Sequence, residues 1–190
     1  MRRRLPIGFV TASLLLLYAV LPAGAAAPSP SAVNLTLRDM PIGFKQLRAD
    51  TLSNSAVAHQ TGQRLATLEQ QGQLLTSYVE FQRAGGTLRR LVISQVTGYA
   101  TSADARSGYL NAVASDAHAQ SISLTAVGSA RSAFSLSGRR ARKPLTEDII
   151  DFYRGLFVIR LVVAGDMNSF STDDASHLAA TIDARVIAAQ

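Results

Sequence analysis

EFQRAGGTLRRLVIS (Glu80–Ser94) is echoed about seventy residues later by DFYRGLFVIRLVVA (Asp151–Ala164). Each stretch runs an aromatic and β-branched segment into a glycine-bearing turn and out into a second such segment, the pattern of a β-hairpin. The echo extends to TSADA (Thr101–Ala105) and STDDA (Ser171–Ala175), capping hydroxyls followed by one acidic residue in the first and two in the second, in a first helical turn. Phe81 aligns with Phe152 at an offset of 71, and Arg90-Leu91-Val92 with Arg160-Leu161-Val162 at 70. One residue is lost inside the turn, where loss is cheapest. The pattern predicts two ββα half-repeats, near residues 74–117 and 147–189.

Turn length fixes which residues face one another. A three-residue Ala84–Gly86 loop sets Glu80 opposite Arg90. A two-residue Gly155-Leu156 loop, with its leading glycine suited to a type II′ turn, sets Asp151 opposite Arg160. Both hairpins thus predict a structural carboxylate–arginine pair on one sheet face, worth at most about 1 kcal/mol each if exposed. A double anion clamp built from Arg90 and Arg160 is the functional rival, but each arginine already has a carboxylate before it. The opposite face carries Val79, Phe81, Leu91 and Ile93 in the first hairpin, and Ile150, Phe152, Ile159, Leu161 and Val163 in the second. That face is expected to be core.

The charged face also holds Tyr78, Leu88 and Val92, and Ile149, Tyr153, Val158 and Val162. So many apolar groups do not all sit in water. A helix covering part of this face would account for them. The sharper reading is a groove for an apolar ligand around Tyr78, Val92, Tyr153 and Val158, with the two tyrosines as polar handles.

The rest of the chain follows from local signals. LTLRDMPIGFKQL (Leu35–Leu47) places a Pro-x-Gly turn before a first strand that begins near Phe44. SNSAVAHQTGQRLATLEQQGQ (Ser53–Gln73) reads as a helix with a weak point at Gly62, which costs about 1 kcal/mol relative to alanine. Leu74–Arg83 and Leu88–Gly98 are the first hairpin, and Ser102–Ala117 is a helix turning Ala105, Tyr109, Ala112 and Val113 inward. Ser121–Val127 alternates as a strand, and Gly128–Leu136 is ambiguous. SLSGRRARKPLTED (Ser135–Asp148) is expected to be the longest polar connection, and Ser171–Ala189 a C-terminal helix with Ala175, Leu178, Ile182 and Val186 in one stripe. Hairpins dominate, so the expected class is α+β: a largely antiparallel sheet with an N-terminal strand and helix, and helices packed upon it.

The N-terminus MRRRLPIGFVTASLLLLYAVLPAGAAAPSPS has a basic n-region, an apolar h-region and an Ala23-Gly24-Ala25 small-x-small site. It reads as a signal peptide over residues 1–25, cut after Ala25. An uncleaved anchor is the rival, because Leu5–Leu21 is near the minimum span of a bilayer. A disordered leader, 26–33, would then precede a single domain, 34–190. The expected location is secreted, periplasmic or cell-surface, with membrane attachment only if the signal is kept.

The absence of cysteine excludes disulfides, thiol chemistry and an acylated-cysteine anchor. Removing the signal leaves sixteen basic and thirteen acidic residues, a net +3 in place of +6. That modest excess argues against a nucleic-acid partner. Seventeen arginines against two lysines suggest a high-GC bacterial coding bias.

The sequence contains no nucleophile elbow, zinc-protease helix, phosphate-cradling loop or dinucleotide fingerprint. His59, His118 and His177 are far apart, and Asp173–His177 at i, i+4 is more simply a helix-dipole acid beside a solvated histidine than a metal pair. No cofactor and no metal is expected. Arg139, Arg140, Arg142 and Lys143 form the densest charge run, a candidate anion-binding loop for an envelope polymer or an acidic protein partner.

The phrase LTLRDMPIGF resembles the Leu-Asp-x-Pro-x-Gly-aromatic openings of small secreted bacterial proteins of unknown function. The hairpin-plus-helix plan is similar to the PsbP/Mog1-like fold, an antiparallel sheet between helices. The resemblance implies a binding or accessory protein and transfers no site residue. The reading from sequence is a secreted or cell-surface, non-enzymatic bacterial binding or accessory module. The alternatives are an apolar-ligand carrier using the sheet groove, and an exported hydrolase with a site that no motif reveals.

Overall fold

A computed structural model describes residues 28–83, 90–116, 118–140, 143–166 and 171–190. Seven strands form one antiparallel sheet in the order β1-β2-β3-β7-β6-β5-β4. The strands are β1 (Phe44–Ser53), β2 (Gln73–Arg83), β3 (Arg90–Tyr99), β4 (Gln120–Ser121), β5 (Ala130–Arg140), β6 (Lys143–Arg154) and β7 (Phe157–Asp166). Helices α1 (Pro30–Val33), α2 (Asn54–Thr61), α3 (Leu65–Gln70), α4 (Ser102–Ser115) and α5 (Thr172–Ala188) complete the α+β fold. The expected signal peptide, 1–25, lies outside the described residues. Among those that are described, no helix is long and apolar enough to cross a membrane.

The second hairpin forms with the register that its turn demands. Gly155 has φ +55°, the left-handed backbone a primed turn needs at its first position, and Asp151 stands opposite Arg160. Ile150, Phe152, Ile159, Leu161 and Val163 are buried on one face. Across them lies α5, whose Ala175, Leu178, Ala179, Ile182 and Val186 form the matching stripe. Ser171 caps α5 by accepting from the Asp174 N–H, and the Asp174 carboxylate accepts from Ser171 N–H. That reciprocal cap fixes where α5 starts and so where its apolar stripe falls.

The first hairpin departs from expectation. Arg83 pairs with Arg90 and not with Thr87, the partner that a three-residue Ala84–Gly86 loop would give it. A register shifted by an odd number of residues exchanges the two faces of the second strand. Val92 therefore joins Val79 and Phe81 in the core, all three buried, while Leu91 and Ile93 turn to the opposite face and stay partly exposed. Glu80 faces Ile93, so the expected Glu80–Arg90 pair is not formed across the hairpin.

The order strand–strand–helix does occur twice. However, Arg90 and Arg160 lie on opposite faces, and α4 packs on the face that α5 leaves open. The sequence echo does not extend to matching geometry beyond the first strand of each hairpin.

Other local signals resolve individually. Gly62 takes φ +72° at the C-cap of α2, and the helical stretch breaks at this expected weak point into α2 and α3. Residues 122–127 are irregular and the strand is β5, although Ile122 and Leu124 still pack on the core. The expected polar connection Ser135–Asp148 is instead mostly strand, with β5 and β6 paired out to Arg140 and Lys143.

Pro30–Val33, expected within a disordered leader, form a helical turn packed on β2 and β3, with Val33 buried. Asn34 next to it is 1% exposed and donates to Ser77 O, Ser77 Oγ and Ser94 O, while its Oδ1 accepts from Ser94 Oγ and Leu35 N–H. The Asn34 side chain thus holds the N-terminal segment in the core. Arg185 of α5 completes the tie, donating to Asn34 O at 2.6 Å and to Asp39 at 2.7 Å. Burial alone would raise the pKa of Asp39, but the hydrogen bonds from Arg185 and Thr36 outweigh it and the pKa falls.

Candidate functional site

Helix α4 leaves β3 at Tyr99 and runs back over the sheet on the face opposite α5. Thr101 caps it by accepting the Asp104 N–H. Its Ala105, Tyr109 and Val113 cover Tyr99, Val158, Ala130 and Tyr153. Tyr109 and Tyr153 are tilted rings 5.4 Å apart, and Tyr109 Oη shares a 2.8 Å hydrogen bond with Ser132 Oγ. Gly108 makes this approach feasible, since a Cβ there would meet Tyr99 Oη at 2.3 Å. Two members of the expected groove, Tyr153 and Val158, are therefore floor beneath a helix, and Val92 is on the other face. Tyr78 alone of the four sits where a surface ligand reaches it.

The C-terminus of α4 ends over a charged cluster. Arg160 Nη2 donates to Asp116 at 2.5 Å, and its Nη1 lies 3.9 Å from Asp151. The expected Asp151–Arg160 pair is thus present, but Asp116 takes the closer contact. Asp151 is fully buried, and neither carboxylate oxygen has a hydrogen-bond partner among the described residues. Burial pushes its pKa upward, Arg160 opposes this, and the charge of Asp116 reinforces it, so the group titrates at about 7.

Residues in register across the sheet continue this row as Ser132, Asp151, Arg160, Gln95, Tyr78 and Asp50. Beyond α4 the next rows bring Ile93 beside Val162 and Leu91 beside Ala164. Leu91, Ile93 and Val162 remain partly exposed. At the β1 side the surface is polar: Arg48 stacks 4.9 Å from the Tyr78 ring centroid and pairs with Asp50, and Tyr78 Oη donates to Glu80 at 3.3 Å. Burial, followed by the Glu80 charge, raises the Tyr78 pKa and keeps this hydroxyl a donor. The result is an apolar strip with a hydrogen-bonding rim.

The remaining sequence candidates do not converge. His59, His118 and His177 are exposed on separate elements, and no cluster of three metal-ligating groups occurs among the described residues. Arg139, Arg140 and Lys143 fall at the tip of the β5–β6 hairpin, where only their backbone is described, and Arg142 lies outside the described residues. The Asp116–Arg160 contact, 44 residues apart in sequence, had no local signal that could reveal it.

No protein family and no curated protein matches the chain. Among solved structures, the extracellular domain of PknH from Mycobacterium tuberculosis is similar, with a TM-score of 0.54 at 11% identity. The match covers 83% of this chain and 94% of that one. At such identity the likeness is one of fold.

Proposed function

We propose that this chain is an extracytoplasmic bacterial binding module, non-enzymatic, that recognises a protein partner through the sheet face beside α4. The observation that carries this reading is the strip of Leu91, Ile93 and Val162, partly exposed in a folded sheet and bordered by Tyr78, Glu80, Gln95 and Arg160. An apolar centre inside a polar rim is the anatomy of a protein–protein contact. The signal-like N-terminus and the extracellular placement of the PknH domain both support an extracytoplasmic site of action.

The test places carboxylates on the strip. Ile93→Glu with Val162→Glu, expressed as the full chain in its own host, should keep the thermal midpoint within a few degrees. In gently solubilised envelope, the wild type should migrate in a larger complex on a native gel and the variant should run free. An unchanged complex would remove this face as the recognition surface. Finding the wild type only as a free species would remove the binding reading itself.

A further inference from the structure

The sheet edge beside β5 is incompletely closed. Strand β4 pairs only at Gln120–Ser135 and Ser121–Phe134, and Ile122 N–H then donates to Ala133 O at 3.0 Å. After that the chain leaves the edge as an irregular segment and returns at Ser129, whose N–H donates to Tyr153 O. Because alternate residues of a strand direct their main-chain groups to the same side, a bond outward from Ala133 means that Arg131 N–H and C=O also point outward. No backbone partner meets them among the described residues. The gap is a cleft of about 580 Å³ between the segments 121–124 and 130–134.

Its lining has the composition of a strand-binding slot. Ile122, Leu124 and Phe134 give apolar walls, and Ser121 and Ser132 give hydroxyls. Arg131, exposed, is the one charged residue lining it, and makes no ion pair among the described residues. Arg139, Arg140 and Lys143 follow on the same hairpin. The cleft is lined by β5 and the segment after β4, at the other end of the sheet from β2 and β3.

We infer that this cleft takes an acidic peptide in extended conformation, pairing its main chain with Arg131 and setting a carboxylate against the Arg131 guanidinium. Strand addition supplies main-chain hydrogen bonds that any sequence could make, and charge complementarity at Arg131 selects acidic sequences. The inference is independent of the surface proposed on the α4 side.

The probe is the peptide acetyl-Glu-Val-Glu-Val-Glu-amide, titrated into the isotope-labelled full chain in mild detergent and followed by amide NMR. Shifts should concentrate at residues 121–124 and 130–134. The Lys-Val-Lys-Val-Lys counterpart should bind at least tenfold more weakly, and so should the acidic peptide N-methylated at alternate residues. Arg131→Glu, a change at an exposed position, should reverse the charge preference. Equal binding of the N-methylated peptide would overturn strand pairing. Dextran sulfate displacing the peptide at equal affinity per charge would show that charge alone is read, which also overturns it. Shifts confined to Ile93 and Val162, or none at millimolar peptide, would overturn the site.

Discussion

Replacing Asp151 with asparagine should stabilise the protein, and only above mildly acidic pH. The wild-type carboxyl is fully buried with no hydrogen-bond donor on either oxygen among the described residues, and it titrates at about 7. In the unfolded chain it titrates near its ordinary value of 3.8. The folded state therefore binds the proton more tightly. Stability from this group is fully present below pH 4, declines as pH rises from 4 to about 7, and is flat above that. A rise from 3.8 to about 7 corresponds to roughly 4 kcal/mol at about 1.4 kcal/mol per pH unit, which is a ceiling for the loss. Asparagine keeps the shape and the neutral state, and leaves Arg160 its 2.5 Å contact with Asp116. Denaturant unfolding of both proteins at pH 4.5, 6 and 8 gives the comparison. The advantage of Asp151→Asn should be small at pH 4.5 and reach a few kcal/mol at pH 8. A difference that is constant with pH, or a variant less stable at pH 8, would refute the reasoning.

Three further outcomes test the fold. Val92→Thr should cost about 1–3 kcal/mol, because it buries a hydroxyl in the core, whereas Ile93→Thr should cost less than about 1; equivalent costs in urea melts would contradict the β2–β3 register. Asn34→Ala should lose about 2–4 kcal/mol by chemical denaturation, since it strands buried partners at Ser77 and Ser94. Gly108→Ala, a gain of about 1 kcal/mol in an isolated helix, should instead lower the thermal midpoint, because the new methyl meets Tyr99.

What the sequence made legible was local. Gly155-Leu156 admits one short turn, so the β6–β7 register and its core face could be read directly, as could the α5 cap and stripe. Ala84-Gly85-Gly86 misled because a glycine run permits a turn without fixing where pairing resumes. The actual register, with Arg83 opposite Arg90, exchanged Val92 for Leu91 and Ile93. The basic stretch Arg139–Lys143 looks like a loop by composition, yet β5 and β6 stay paired as far as Arg140 and Lys143. Asp116, Arg160 and Asp151 meet only because α4 folds back over the sheet, a tertiary fact that no window of sequence contains. The pairing of Tyr78 with Tyr153 failed for the same reason, since the helix between the hairpins covers one tyrosine and spares the other.

Photocrosslinking in living cells addresses the recognition surface most directly. A photoreactive residue is placed at position 93, at 162, or at the exposed Ile187 on the opposite side of the sheet. One crosslinked species, shared by positions 93 and 162 and absent at 187, is the predicted result. No species at 93 and 162, or the same species from all three, would contradict the account.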